Sequence, residues 1–465
     1  MNILLIVTDQ YRYDCMSRLQ HPVVKTPHLD SLAAEGVMFT RSYCATMACG
    51  PSRASLFTGY YADTHGMGDN QTTLIPQDFP VLPEYLAQCG YDTALIGKLH
   101  LKPMARDFGF RYVKRNDAPY TNYSQEEADD SAYLEYLRET FFKENPEDAV
   151  RLFSEDEDCL ESDELRFMLG SNFVDAEHHE ASWTARESIR YLREERPRDR
   201  PFFLNCSFFG PHQPFLWPDP WDTIHPPEEI PLPPDFDYPV DDKPIFRNSQ
   251  HMIWRQEREA RGWDRDTYKK ILSAYYGYVS MIDHSIGQLF QAMKEEGVWD
   301  DTMVIFTADH GDFGGQFRCF YKGLPYEGST HVPLIIRDPR SSAKGKICTR
   351  NLTNIDLFST CLAAAGATPP TDIESRDLAP LTADPEDGDW DDRALWKKGN
   401  QSLIVRGDYK LMRGGAGEKV YYELYDLAND PWEKKNRIDD PSCKDDVDRL
   451  KQELDLWHCE QDEKG

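Results

Sequence analysis

Nowhere does the 465-residue sequence hold a run approaching the ~20 apolar residues that a membrane-spanning helix needs. A membrane protein is therefore not expected. Positive charge is also scarce: 52 Lys and Arg stand against 81 Asp and Glu, a net charge of −29. Nucleic acid is excluded as a partner on that ground, because its phosphates would be repelled at long range. Any anionic substrate must find a locally positive pocket in this acidic chain. The eleven cysteines form no CxxC pair and keep no regular spacing, which argues against a disulfide framework or a thiolate zinc site and fits a reducing compartment. The N-terminal MNILLIVTDQ has no basic leader, and its apolar run is too short for a signal segment, so it reads as a buried first strand and a cytoplasmic location is expected. No internal repeat is found.

What the chain does hold is an alternation. Short β-branched or aromatic runs, NILLIVTD (2–9), DTALIG (92–97), PFFLNCSFF (201–209), TMVIFTAD (302–309) and VPLIIRD (332–338), are interleaved with amphipathic segments. That pattern predicts an α/β domain around a mostly parallel, buried sheet. Between Asp264 and Val298 apolar residues recur at helical spacing, which predicts a long core-facing helix. Two inserts interrupt the alternation, an acid-rich one at 115–175 and a Pro- and aromatic-rich one at 211–245, and both are expected to wall a pocket. The texture changes after residue 345, giving a catalytic α/β domain over 1–345 and a smaller α+β domain over 346–465 with a helix, hairpin-like pieces and a terminal helix. The smaller domain is a candidate surface for homo-oligomer formation. Trp217 and Trp221 of the second insert could stack on a sugar, but mutual packing is the expected role.

Ligands in open α/β sheets bind beyond the carboxyl ends of strands, so the residues there are the candidates for chemistry. The first run ends in Asp9-Gln10, the third quarter of the chain offers Asp309 and His310 in ADHGD, and Lys98 and His100 lie just past DTALIG. Each alone is an ordinary turn former or cap. Together, two carboxylates and an amide oxygen suit a hard divalent cation such as calcium or magnesium, and His310 tilts the set toward manganese. A further stretch, CGPSRASLFTG, opens a helix at Pro51 with Cys49 at its positive end and Arg53 one turn on, a guanidinium fork suited to a tetrahedral oxyanion. Cys49 there is either a thiolate nucleophile or a buried structural thiol.

CGPSRASLFTG resembles the C-x-P-S-R-x-x-x-x-T-G signature of type I sulfatases, and six further stretches stand in that family's order: VTDQ, TPHLDSLAAEGVMFTRSYC, GKLHL, GPHQPF, TADHGD and KGLPYEGSTHVPLI, with ELYDLANDPWEKKN late in the chain. The resemblance implies an alkaline-phosphatase-like fold, a mostly parallel mixed sheet sandwiched by helices with a smaller C-terminal α+β domain. It implies hydrolysis of a small-molecule or saccharide sulfate ester by a formylglycine made from Cys49, hence an encounter with a formylglycine-generating or sulfatase-maturing enzyme. Residue 49 would hydrate to a geminal diol, one hydroxyl attacking sulfur and the other expelling sulfate. Asp9, Gln10, Cys49, Asp309 and His310 would hold one divalent metal, calcium ahead of manganese. Arg53 would orient the diol, Lys98 and Lys322 would grip the sulfate, His100 would lie near the nucleophile and His212 would protonate the leaving oxygen. Gln10 and His310 also occur in the branch of phosphonate monoester and phosphodiester hydrolases, and Asn70 in GDNQTTL resembles that branch as a substrate-binding residue, whereas Lys98 and His100 do not. Sulfate ester hydrolysis is the leading expectation, phosphonate or phosphodiester hydrolysis the second, and a non-catalytic anion- or sulfoglycan-binding protein with an unmodified Cys49 the third.

Overall fold

In the computed structural model of the chain, residues 1–70, 72–117, 130–144, 164–169, 174–215, 217–417 and 419–464 are described. Much of the acid-rich insert expected at 115–175 lies outside them.

The first strand, β1 (Asn2–Thr8), is buried at every position. A continuous apolar run, rather than an alternating one, is what a strand covered on both faces requires. Its odd-numbered residues Ile3, Leu5 and Val7 enter one hydrophobic cluster and its even-numbered Leu4 and Ile6 the other. The first of these faces is covered by helix Cys49–Thr58, through Ala54, Leu56 and Phe57, and by helix Asp356–Ala364. The second is covered by helix Arg265–Glu295, the long helix expected over 264–298. Asp264 caps it by accepting from the Thr267 amide at 2.9 Å.

Eight further strands join β1 in a nine-stranded sheet: β2 (Val37–Tyr43), β3 (Asp92–Gly97), β4 (Tyr112–Arg115), β5 (Phe202–Phe208), β6 (Thr302–Ala308), β7 (His331–Arg337), β8 (Lys346–Cys348) and β9 (Leu352–Thr353). The order is β4-β3-β5-β1-β6-β7-β2-β8, with β9 also on β2. All pairings are parallel except those of β7, which is antiparallel to both β6 and β2. The sheet is therefore mixed and mostly parallel, and helices lie on both faces. Two antiparallel contacts in succession restore the direction, so β2 points the same way as β1, β3, β5 and β6.

β8 and β9 follow residue 345, where a domain change was expected, yet both pair with β2. The chain leaves the large sheet only after Thr353. The smaller C-terminal sheet is an antiparallel meander of β10 (Arg393–Lys398), β11 (Gln401–Arg406), β12 (Tyr409–Ala416) and β13 (Lys419–Asp426), followed by helix Lys444–Lys464. Lys410 of β12 is fully buried between Glu327 and Glu433, 2.9 Å from each, and so ties this sheet to the large one by a paired charge. Among the described residues no helix is long and apolar enough to cross a membrane.

Candidate active site

Strands β3, β5, β1 and β6 are consecutive neighbours and parallel, and their last residues lie in register: Gly97 opposite Ser207, Thr8 opposite both Phe208 and Ala308. The ladder runs one step further, the amides of Lys98, Asp9 and Asp309 donating to Ser207, Gly210 and Thr8 carbonyls at 2.9, 3.2 and 3.1 Å. Four loops thus leave the sheet at one level, carrying Asp9-Gln10, Lys98-Leu99-His100, His212 and Asp309-His310 to a common edge. Gly97 makes this possible at β3. Its φ is 98°, and a Cβ there would meet the Ser207 carbonyl oxygen at 1.8 Å.

Because β2 is co-directional with these strands, the segment after it reaches the same edge and opens into helix Cys49–Thr58, all ten residues of which are buried. The Gly50 amide, one of the donors a helix start leaves unpaired, is taken by the Asn70 carbonyl Oδ1 at 2.9 Å. Ser52 Oγ donates to the Asp309 carbonyl at 2.5 Å. Arg53, one turn on, places Nε 2.8 Å from Asp309 Oδ2, and its Nη1 donates to Lys98 O at 2.9 Å and Ser207 Oγ at 2.8 Å. Its Nη2 is buried with no partner among the described residues.

Asp9, Cys49, Asp309 and His310 converge, each offering one ligand atom within 4.8 Å of the others, all buried. Cys49 Sγ is 3.1 Å from His310 Nε2 and 3.8 Å from Asp9 Oδ1. His310 Nδ1 lies 2.9 Å from the Gly311 carbonyl. A carbonyl only accepts, so Nδ1 carries the hydrogen and the Nε2 lone pair faces the cluster. Asp309 Oδ1 takes the backbone amides of Gln10 and His310 at 3.1 and 2.8 Å. The donor set of two carboxylates, an imidazole lone pair and residue 49 fits a divalent cation.

Charge is balanced closely here. Burial opposes ionisation of Asp9, but the Lys98 ammonium, in direct contact with it, and His212, His310 and Lys322 hold its carboxyl well below the usual range. Burial lowers Lys98 and Asp9 raises it, with a net rise. Burial and Asp9 oppose the Cys49 thiolate, Lys322, His310 and Lys98 favour it, and the thiol ends below its ordinary value. Burial opposes the His310 imidazolium, while Asp309 and Cys49 raise it above the usual histidine value. Burial and then Lys322 hold His212 well below that value, and burial and then Lys98 do the same to His100.

The remaining residues singled out from sequence fall around this cluster. Lys322, from the loop joining β6 to β7, donates to Gln10 Oε1 at 2.6 Å. Gln10 is thereby turned toward Lys322, and its Nε2 donates to Asp312 Oδ2 at 2.6 Å and Gln213 Oε1 at 2.7 Å. His212 Nδ1 lies 2.6 Å from the Gln213 carbonyl and so carries its hydrogen there. The His100 Nδ1 is buried without a partner among the described residues. Gln10 and His100 both have left-handed backbones, φ 66° and 55°, a strain characteristic of functional loops. Trp217 and Trp221 pack beside Gly277 of the long helix.

Several supporting residues escaped the sequence reading. Asp117 accepts from the Leu99 and His100 amides at 2.7 and 2.9 Å and fixes the loop after β3. Asp312 and Gln213 orient Gln10, and Tyr275, from the long helix, donates to the Gln10 carbonyl at 2.8 Å. Asp312 and Gln213 lie inside TADHGD and GPHQPF and were open to inference, whereas nothing local marks Asp117 or Tyr275.

The profile of the sulfatase family matches residues 1–367. The chain belongs to the sulfatase family. It is an enzyme of the sulfuric ester hydrolase class. The profile of the C-terminal region of N-sulphoglucosamine sulphohydrolase matches residues 315–460. An arylsulfatase of Clostridium perfringens is 30% identical to this sulfatase over 97% of the chain and 93% of its own length. A multifunctional alkaline phosphatase superfamily protein of Trinickia caryophylli is 28% identical over 95% and 92%. Among solved structures, a phosphonate monoester hydrolase of Agrobacterium radiobacter superposes with a TM-score of 0.79 at 25% identity, covering 99% of this sulfatase and 96% of that chain.

Proposed function

We propose that this sulfatase hydrolyses the sulfate monoester of a small molecule or saccharide, using formylglycine made from Cys49 by a formylglycine-generating or sulfatase-maturing enzyme and one divalent cation, calcium ahead of manganese. The observation that carries the reading is the enclosure of Cys49 Sγ by Asp9, Asp309 and His310, with ligand atoms within 4.8 Å of one another. Oxygen in place of sulfur at residue 49 would harden the donor set toward calcium. When bound, the cation offsets negative charge at residue 49. Formylglycine, once water has added to its aldehyde, would supply two hydroxyls on one carbon, one for attack on sulfur and one for release as the aldehyde re-forms.

The chain's own residues account for the remainder. Lys98 and Lys322 set two ammonium groups against the sulfate oxygens, where charge grows as the ester bond breaks. Arg53, with one nitrogen free of partners among the described residues, orients the oxygens of residue 49 and offsets their charge. His212, with Nδ1 held by the Gln213 carbonyl, presents Nε2 to the departing oxygen; burial and Lys322 keep the ring neutral in the free site, so it would act as the acid only after the negative charge of the bound ester favours its protonation. His100 stands beside Lys98 near the nucleophile. Asn70 holds the Gly50 amide, and Gln10 sets Lys322 at the edge of the cation cluster.

A second reading, hydrolysis of a phosphonate monoester or phosphodiester, draws on Gln10 and Asn70 and on the likeness to the Agrobacterium hydrolase. The Lys98–Asp9 contact and His100 favour sulfate, because they bear on the transferred group. The test is turnover of 4-nitrophenyl sulfate and a phenyl phosphonate monoester by protein whose formylglycine content is known from mass spectrometry of the Cys49 peptide. Faster sulfate turnover is expected. Faster phosphonate turnover overturns the sulfate reading, and an inert, fully modified protein overturns both.

A further inference from the structure

Lys398 ends β10, in the small C-terminal sheet, and none of the chemistry above uses it. Its neighbour Lys397 fixes where the strand lies: the Lys397 amide donates to the Ala45 carbonyl at 3.2 Å, on the segment leading into Cys49, and its ammonium pairs with Asp63. Alternation along a strand puts Lys398 on the face opposite Lys397, the face of Ala394 and Trp396. Lys398 also acts electrostatically on His251, and His251 lies against Gly323, where a Cβ would meet its Cε1 at 2.6 Å. Lys398 therefore stands at the rim of the site beside the Lys322 loop.

Its charge is uncompensated. The surrounding protein and then Lys322 push its ammonium down, and Cys49 pulls it up. In a chain with 81 acidic residues, no carboxylate pairs with it among the described residues. Lys98, Lys397 and Lys410 each have one. An ammonium held near another ammonium without a counter-charge is favourable where an anion is to arrive.

We propose that Lys398 binds a second oxyanion carried by the substrate, a carboxylate or a second sulfate, so that the preferred substrate is at least dianionic. This rests on the sulfatase reading of the same site.

Calorimetric titration of the full-length Cys49→Ala protein, with and without Lys398→Ala, tests it separately from turnover. The probes are glucose 6-sulfate, glucosamine 2-N,6-O-disulfate and glucuronic acid 2-sulfate. Lys398→Ala is expected to weaken one or both dianions roughly fivefold and the monosulfate less than twofold, as suits a partly solvated charge pair. The dianion that responds identifies the group, and Lys398→Arg should retain its binding. Equal weakening of all three probes, no weakening, or no binding of either dianion to the Lys398 protein overturns the proposal. A chain that binds dianions in this way but fails to turn over 4-nitrophenyl sulfate keeps the subsite and loses the sulfatase mechanism. An unchanged melting temperature for Lys398→Ala excludes misfolding as the cause, because the residue is exposed.

Discussion

Replacing Arg53 by Ala removes three hydrogen bonds at once, those to Asp309 Oδ2, Lys98 O and Ser207 Oγ, at 2.8, 2.9 and 2.8 Å. Both members of the Arg53–Asp309 pair are sealed from water, with side chains 1% and 0% exposed. Asp309 would keep two backbone donors but lose its cation, a few ångströms from the ionised Asp9. Removing one partner of a buried ion pair costs about 3–5 kcal/mol, because the other charge is left uncompensated. At ~2.1 cal/mol/K per residue, a chain of 465 residues has an unfolding entropy of about 1 kcal/mol/K, so Tm should fall by about 3–5 °C. Differential scanning calorimetry reads this directly. Calcium should restore more of the loss in the variant than it adds to the unaltered protein, since a pair of carboxylates without the guanidinium binds it more strongly. Sulfate-ester turnover should drop ~10²–10³-fold with the loss of a preorganised donor beside residue 49. Arg53→Lys, a point charge without the fork, should recover part of the stability and little of the activity. A Tm within 1 °C of the starting protein, measured without added cation, would refute the reasoning.

Lys322→Ala should leave the melting curve in place and lower kcat/KM by about 10²-fold or more, and near-normal turnover would remove Lys322 from the site. Gly97→Ala should destabilise the protein by about 3 kcal/mol, from a positive φ and a Cβ driven into the Ser207 carbonyl, which denaturant titration would register. Glu180 is buried and accepts from the Phe209 and Gly210 amides and Tyr278, and burial raises its carboxyl to about 7. A folded pKa above the unfolded one gives stability that is full below about pH 4.5 and lost as pH rises through 7, about 3 kcal/mol in all. Glu180→Gln should therefore melt progressively higher relative to the unaltered protein from pH 5 to pH 8, and a constant difference across that range would contradict the assignment. Chelation should lower Tm, and calcium should restore it, if Asp9, Asp309 and His310 hold a cation, whereas Asp309→Asn should blunt that response.

Much of this enzyme was legible from local pattern. A run such as NILLIVT reads as a strand covered on both faces, and the placement of Asp9, Lys98 and Asp309 just past such runs points to one edge, whereas His212 is marked mainly by the family resemblance. The Cys49–Gly59 stretch carried its own helix start and its own guanidinium. The supporting shell was legible only where it sat beside a recognised residue, as Asp312 and Gln213 do. Asp117 and Tyr275 looked like any other acid and any other core aromatic.

Chain order and residue chemistry by themselves determined the α/β architecture and the strand-end candidates Asp9, Lys98, His100, Asp309 and His310, because side-chain period and strand-end placement are local properties; the roles expected of Cys49, His212 and Lys322 came only with the family resemblance. Only the tertiary structure decided that the antiparallel β7 returns β2 to the common direction and so delivers Cys49 to the edge that holds Asp9 and Asp309. It alone turned Gln10 onto Lys322, carried β8 and β9 past the expected boundary into the large sheet, and brought Lys398 to the rim from the far end of the chain. Register, burial and the balance of charge at Cys49 depend on partners tens to hundreds of residues away, and those distances are closed only by folding.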